Sequence, residues 1–343
     1  MTDKVLDPIH WRFCVAPMLD LTDRHCRYFH RLLSRHARLY TEMVTTGALI
    51  HGSQPQHLDF SEPEHPLALQ LGGSDPAELA FCTKLAQQWG YDEVNLNCGC
   101  PSERVQKGSF GACLMADPAV VADCVKAMQD AADLPITVKH RVGIDDNNEY
   151  SFVRDFVGTL FNAGVRVFIV HSRNAWLKGL SPKENREIPP LRREVVYQLK
   201  QDFPEAVIVI NGALTNLSEV EPQLQNVDGV MIGRAAYYTP WILSDVDARL
   251  YGDDHEPVTR EKVIDAMERY VKEIRPDDRS LRAACRHMHG LLTGLAGAKV
   301  WRRTLSDAAL IREQGADIFR YAYGKAGWTD VESFPDEDSE FFS

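Results

Sequence analysis

The sequence has no run of apolar residues long enough to cross a membrane. Nowhere in its 343 residues is there a stretch near the roughly 20 consecutive apolar residues that a transmembrane helix needs. The first residues, MTDKVLDPIHWRF, carry acids and no apolar core, so we expect no signal peptide. The eight cysteines form no C-x-x-C pair and no zinc-type cluster with histidine. We therefore expect a cytoplasmic protein with reduced thiols, no bound metal and no obligatory protein partner.

Positive charge is also scarce in the chain as a whole. Lys and Arg number 38 against 49 Asp and Glu, which gives a net charge of −11. Proteins that coat nucleic acid non-specifically are basic, so that class is excluded. Basic side chains nevertheless dominate residues 275–303, and the segment 178–193 adds further Lys and Arg. Such segments are often only solvated surfaces, but their segregation in an acidic chain favours a face that binds a polyanion.

Eight short apolar segments predict the fold of the larger part of the chain. They are rich in Val, Ile and Leu and lie at 13–18, 39–44, 66–71, 93–98, 136–142, 167–172, 206–211 and 229–234. Nearly continuous apolar content is typical of parallel strands buried on both faces. Helical patterns separate the segments, so the sequence predicts an α/β fold, a (β/α)8 TIM barrel. An open doubly wound sheet is the alternative, disfavoured because no glycine-rich turn follows the first segment.

The pattern changes after residue 251. A polar stretch at 252–259 indicates a linker, and only helical patterns follow, at 260–274, 281–294, 298–310 and 316–326. About four helices without strands predict a small all-helical bundle domain. We therefore expect three parts: a barrel over 1–251, a helical domain over 258–327, and a mobile acidic tail over 328–343. A short or irregular element is expected near 47–60.

Two glycine-containing turns predict a phosphate site. Asn211, Gly212 and Ala213 follow the seventh apolar segment, and Gly233 and Arg234 end the eighth. In a (β/α)8 barrel the chemistry lies at the carboxyl ends of the strands, and the loops after strands seven and eight commonly bind phosphate through backbone N–H groups. Each glycine by itself could simply form a turn. Their occurrence at both strand ends favours phosphate binding.

Three further side chains at strand ends are candidates for chemistry. Lys139 interrupts an apolar segment, where a lone charge is costly, so it either pairs with an acid such as Glu42 or faces an electron-rich ligand. His171 ends the sixth segment and belongs either to the core or to the site. Cys100 lies in a Gly-Cys-Pro loop, and a thiol that is mostly protonated at neutral pH can donate a proton. The role of Cys98 stays open.

Seven motifs in order resemble the bacterial tRNA-dihydrouridine synthases, which are flavin enzymes of the barrel class. They are VAPMLDLTD, ALQLGG, NLNCGCP, KHRVGID, FIVHSR, VINGAL and MIGRAA. The resemblance continues into the helical C-terminus. The stretch GLSPKENREIPPLR at 179–192 and the segment AKVWRR, with Lys299 and Arg302, are similar to the A subfamily, which modifies uridines 20 and 20a of the D-loop.

The resemblance implies FMN as cofactor, NADPH as reductant, and reduction of the uracil C5=C6 bond in tRNA, with a hydride added to C6 and a proton added to C5. Cys100 would donate that proton. The barrel would bind FMN, and the helical domain would bind tRNA. The implied FMN contacts are Pro17, Met18, Leu19, Gln70, Lys139, His171, Asn211, Gly212, Ala213, Gly233 and Arg234. The implied tRNA contacts are Asn97, Lys183, Arg186, Lys299 and Arg302.

One departure from the family pattern concerns Ala213, where many relatives carry Asp; backbone contacts would survive the change.

Two other functions also fit the residues. A small-molecule flavin oxidoreductase, such as a pyrimidine or enone reductase, would share the barrel but would not need the basic helical part. A non-catalytic RNA- or phosphate-binding barrel would purify without flavin absorbance.

Overall fold

Eight parallel strands form the barrel that the apolar segments predict. A computed structural model describes residues 6–274 and 277–328. The strands in these residues are β1 (Phe13–Val15), β2 (Leu39–Thr45), β3 (Leu67–Gly72), β4 (Glu93–Cys98), β5 (Ile136–Arg141), β6 (Val167–His171), β7 (Val207–Asn211) and β8 (Gly229–Ile232). Their hydrogen-bonded order is β1-β8-β7-β6-β5-β4-β3-β2, with every pair parallel.

The two outer strands of this order meet, so the sheet nearly closes on itself. Cys14 in β1 pairs in parallel with Arg38, the residue before β2. Arg38 N donates to the Phe13 carbonyl oxygen at 2.9 Å, and Val15 N donates to the Arg38 carbonyl oxygen at 2.9 Å. The predicted (β/α)8 barrel is therefore confirmed, and the doubly wound alternative is wrong.

Helices follow the strands as the barrel requires. Those within the described part of the first 251 residues are α1 (Arg24–Leu33), α2 (Thr46–His51), α3 (Gln54–Leu58), α4 (Pro76–Trp89), α5 (Glu103–Lys107), α6 (Pro118–Ala131), α7 (Tyr150–Asn162), α8 (Arg193–Asp202), α9 (Leu217–Val220) and α10 (Arg234–Tyr238). The short α2 and α3 form the irregular element expected near 47–60. Asp75 and Asp117 cap α4 and α6, each directly before a proline.

Further helices follow residue 259. They are α11 (Arg260–Ile274), α12 (Asp278–His287), α13 (Ala298–Thr304), α14 (Ala308–Gln314) and α15 (Ile318–Lys325). Two of these helices differ from the prediction. The helix predicted over 298–310 is interrupted because Asp307 caps a new helix, accepting from Ala309 N and Leu310 N. The helix predicted over 281–294 begins earlier, because Asp277 caps it, and ends earlier, in a 3-10 turn.

The chain divides into two compact units. The first contains the described residues up to 22, then 36–60 and 65–233; the second contains 23–35, 61–64 and the described residues from 234 onward. Residues 234–251, counted with the barrel in the sequence analysis, thus fall in the second unit together with α1. One reason is Asp247, whose carboxylate accepts from Arg35 N at 2.6 Å and from the Ser34 hydroxyl.

Two sequence-based expectations fall outside the described residues: the acidic tail from residue 329 onward, and Arg275 of the basic segment. Across 6–274 and 277–328, no helix combines the length and the apolar character needed to cross a membrane.

Candidate active site

The loop after β4 holds the candidate acid. We call residues 99–102 the thiol loop. The Asn97 carbonyl oxygen, Oδ1, accepts hydrogen bonds from Gly99 N at 3.1 Å and Cys100 N at 3.0 Å. Asparagine favours such local turns because its short side chain reaches the backbone two and three residues ahead. Cys100 is half-buried, whereas Cys98 is fully buried, and burial raises the pKa of the Cys98 thiol. Of the two cysteines, only Cys100 is accessible for chemistry.

Two side chains join the thiol loop to the loop after β6. Arg141, the last residue of β5, donates from Nε to the Gly99 carbonyl oxygen at 3.1 Å and from a terminal nitrogen to that of Asn185 at 3.0 Å. Gln106 Nε2 donates to the carbonyl oxygens of Pro101 at 2.8 Å and Leu177 at 2.7 Å. Arg141 was not among the predicted site residues, although a charge in an apolar strand was the signal that singled out its neighbour Lys139.

Positive charge gathers at the end of β5 and affects His171 at the end of β6. Burial, followed by the positive charge of Arg141, lowers the pKa of Lys139 to about 7. Burial, together with Arg141 and Lys139, holds the pKa of His171 well below its ordinary value, so this imidazole is neutral at pH 7. Lys139 Nζ donates to Asn211 Oδ1 at 3.3 Å. Mutually repelling cations of this kind suit an anionic or electron-rich ligand.

The turn after β7 has a left-handed backbone conformation and leaves little room for a side chain at Gly212. Gly212 has φ 128° and Ala213 has φ 48°, both in the left-handed region. A Cβ at Gly212 would lie 2.7 Å from Ser172 Oγ and 3.0 Å from His171 Cδ2, so no larger residue fits without a shift. At Gly233, after β8, a Cβ would lie 3.7 Å from both Ala16 Cβ and Met18 Sδ, in ordinary van der Waals contact with the residues after β1.

The other predicted cofactor contacts differ in accessibility. Pro17, Met18 and Leu19 follow β1, and Leu19 is 67% exposed. Gln70, by contrast, is buried in β3, where its Nε2 donates to Asn95 Oδ1 at 2.7 Å. Arg234 begins α10, in the second unit.

The predicted tRNA contacts lie in both units. Lys183 and Arg186 are exposed on the loop after β6, which is shaped by the buried Asn185; its Oδ1 accepts from Trp176 N at 2.7 Å. Asn97 is almost fully buried, and its amide is used to order the thiol loop. In the second unit, exposed Lys299 and Arg302 lie on α13.

Comparison with known proteins identifies the family. The family model described as "Dihydrouridine synthase (Dus)" matches residues 14–323. The chain belongs to the dihydrouridine synthase family. The resemblance carried by the seven motifs is therefore confirmed, and the chain is an oxidoreductase of a family that is generally flavin-dependent. Membership argues against a small-molecule reductase and against a non-catalytic barrel.

Several bacterial relatives are similar to this dihydrouridine synthase over most of their length. The tRNA-dihydrouridine(20/20a) synthase of Escherichia coli (strain K12) is 56% identical over 313 residues, covering 90% of each chain. That of Shigella flexneri is 56% identical over 313 residues, covering 90% of this chain and 91% of its own. That of Vibrio parahaemolyticus is 53% identical over 315 residues, covering 92% and 96%.

The strand ends of this dihydrouridine synthase fit a phosphorylated flavin by the chemistry of their donors. The Lys139 ammonium carries three donors, of which Asn211 accepts one. The left-handed turn at Gly212 and Ala213 presents backbone N–H groups in a conformation that can bind an anion. A phosphate and an electron-rich ring are the groups that such donors and cations bind best.

Proposed function

We propose that this enzyme reduces the C5=C6 bond of uridines 20 and 20a in the tRNA D-loop, with FMN as cofactor and NADPH as reductant. The observation that carries the proposal is the accessible Cys100 thiol, held in an ordered loop beside the cations Lys139 and Arg141. The identity of 53% to 56% with relatives named for both positions supports the choice of uridines. Because its substrate is tRNA, we place the enzyme in the cytoplasm.

In this proposal the barrel strand ends hold the cofactor. Backbone groups at Gly212, Ala213 and Gly233 would bind the phosphate. The ring would lie against the cations and the β1 loop, contacted by Pro17, Met18, Leu19, Gln70, Lys139, His171 and Asn211. When bound, FMN supplies the hydride that saturates C6 of the base, and NADPH replenishes it.

The chain's own residues supply the proton and the charge stabilisation. Hydride addition leaves negative charge at C5 and O4 of the uracil, which a proton must quench. Cys100 donates its thiol proton to C5, a general acid contribution of roughly 10²–10⁴-fold. Protonated Lys139 offsets negative charge that remains on the cofactor side.

The target base must leave its stack before it can reach the thiol, which costs on the order of a few kcal/mol. We propose that basic side chains hold the folded RNA and thereby offset this cost, chiefly through phosphate contacts. Lys183 and Arg186 would do so from the loop after β6, and Lys299 and Arg302 from the helical residues 258–327. Asn97, next to the thiol loop, would contact the base itself.

Mapping dihydrouridine in tRNA tests the proposal. A bacterial strain without its own 20/20a synthase is complemented with this chain, and tRNA is sequenced for dihydrouridine. We expect the modification at positions 20 and 20a. A variant Cys113→Ala, which removes another partly buried cysteine, should complement equally well. Absence of the modification, or modification confined to other positions, would contradict the proposal.

A further inference from the structure

A buried carboxylate at the start of β4 has no role in the reaction described so far. Glu93 is fully buried in the barrel. Its Oε2 accepts from Trp11 Nε1 at 2.8 Å and from an Arg38 terminal nitrogen at 3.1 Å. Its Oε1 accepts from the hydroxyls of Tyr40, at 2.9 Å, and Thr137. Four donors therefore hold the carboxylate in one position.

From Glu93 a chain of hydrogen bonds runs along the barrel interior to the thiol loop. Thr137 Oγ1 accepts from Asn95 Nδ2 at 2.8 Å, and Asn95 Oδ1 accepts from Gln70 Nε2 at 2.7 Å. Gln70 Oε1 in turn accepts from Asn97 Nδ2 at 2.9 Å. Asn97 Oδ1 then accepts from the two backbone N–H groups of the thiol loop. We call this set of five side chains the relay: Glu93, Thr137, Asn95, Gln70 and Asn97.

The relay has a single direction, which is set by its first member. A carboxylate can only accept, and a hydroxyl has one hydrogen to donate. Since Thr137 gives that hydrogen to Glu93, it can only accept from Asn95. The Asn95 amide must then present its nitrogen to Thr137 and its oxygen to Gln70. The same constraint passes to Asn97, whose oxygen is left facing the thiol loop.

Burial makes the alternative orientations costly. The relay side chains are between 0% and 8% exposed, so water cannot replace a lost partner. Turning one amide over would place two donors or two acceptors against each other and would leave buried polar groups without hydrogen bonds, which is unfavourable. One well-held carboxylate thus determines the orientation of three amides.

We propose that Glu93, Thr137 and Asn95 are positioning residues for the reaction. They act through Gln70 and Asn97, and thereby fix the loop that carries Cys100. This inference rests on the proposed function, in which Cys100 is the acid and Gln70 and Asn97 face the cofactor and the base. None of the three positioning residues is assigned a contact with substrate or cofactor.

The test breaks the relay at Thr137 without changing the shape of the side chain. Thr137→Val removes the hydroxyl, and Thr137→Ser keeps it. Thr83→Val is the matched control, because Thr83 is equally buried but its hydroxyl donates to the Leu79 carbonyl oxygen within α4, at 2.7 Å. Two quantities are measured on the full chain: amide hydrogen exchange at Gly99 and Cys100, and single-turnover reduction of tRNA by the prereduced enzyme.

In Thr137→Val we expect exchange at Gly99 and Cys100 to accelerate about fivefold or more and single-turnover reduction to fall about tenfold or more. Thr137→Ser should restore both rates to within about twofold of those of the unaltered chain, and Thr83→Val should change neither rate. If Thr137→Val does not fold, Asn95→Leu interrupts the relay at its next member after Thr137.

Unchanged exchange at the two amides in the folded variant would overturn the proposal. So would a failure of Thr137→Ser to restore exchange, or equal effects in Thr83→Val. The exchange measurement needs no turnover. If the unaltered chain makes no dihydrouridine, the proposed function fails, and the exchange comparison still decides whether the relay orders the thiol loop.

Discussion

At the scale of single residues, Lys139 changes charge near neutral pH. Burial, followed by Arg141, lowers its pKa to about 7, so in the free chain the ammonium loses its proton as the pH rises through that value. An anionic ligand beside it favours the charged form and raises the pKa again. Ligand binding and the protonation of this lysine are therefore linked.

This linkage predicts that FMN binding at pH 8 takes up a proton, approaching about one per site. The uptake is measured by titration calorimetry in two buffers that differ in ionisation enthalpy. Lys139→Met retains the apolar stem and removes the titrating group, so its uptake should be much smaller. Equal proton uptake in the variant would assign the linkage to another group.

At the scale of elements, α1 carries two buried histidines in the second unit. Burial lowers the pKa of His25 to about 4 and that of His30 to about 3. His25 Nδ1 also shares a hydrogen bond with the Tyr270 hydroxyl at 2.8 Å. Both imidazoles are neutral in the folded chain at pH 5, whereas an unfolded histidine, with a pKa near ~6.5, is charged.

The free energy of unfolding should therefore decrease as the pH falls below about 6.5, by up to roughly 1.4 kcal/mol per pH unit for each histidine, until the folded pKa is reached. The sign follows because the unfolded state binds more protons in this window. His30→Leu should make the dependence on pH shallower. Denaturant unfolding between pH 4 and 7 measures both slopes, and parallel slopes would contradict the assignment to His30.

Local sequence signals explain which elements could be predicted. Continuous apolar runs located all eight strands, and Asp-Pro pairs marked the starts of α4 and α6. The break before α14 was missed, although Asp307 is the same kind of cap, because the helical pattern continues across it. The placement of α1 in the second unit depends on contacts distant in sequence, such as that of Arg35 N with Asp247, which no local pattern encodes.

In the candidate site, too, local sequence signals identified some residues, and contacts between distant residues determine the others. Cys100 and Lys139 stood out because each residue type was unusual for its place in the sequence. Glu93 and Thr137 did not, because their connection depends on the pairing of β4 with β5, which brings the two side chains within hydrogen-bond distance. A polar residue in a predicted strand indicates that it has a hydrogen-bond partner, but the sequence does not identify that partner.

At the scale of the whole molecule, the segregation of charge predicts where tRNA binds. The chain has a net charge of −11, yet α13 exposes Lys299 and Arg302. Arg302→Ala should weaken tRNA binding by about 1 kcal/mol at low salt and reduce the salt dependence of binding by roughly one phosphate contact. The flavin content should not change. Affinity is measured by fluorescence anisotropy over a series of salt concentrations.

Arg154→Ala is the control for this prediction. Arg154 lies on α7 of the barrel, pairs with Asp155 at 2.8 Å and carries the same charge. Its loss should leave both tRNA affinity and the salt dependence close to those of the unaltered chain. If the two variants weaken binding equally, net charge, not the α13 surface, governs the interaction.

The most direct test of the account is a single-turnover measurement on Cys100→Ala. The variant is loaded with FMN, reduced with NADPH and mixed with unmodified tRNA, and both flavin reoxidation and dihydrouridine are followed. We predict reduction by NADPH at the rate of the unaltered enzyme and a loss of dihydrouridine formation of roughly 10²-fold or more. Dihydrouridine formed at the unaltered rate would remove Cys100 from the acid role and contradict the central claim.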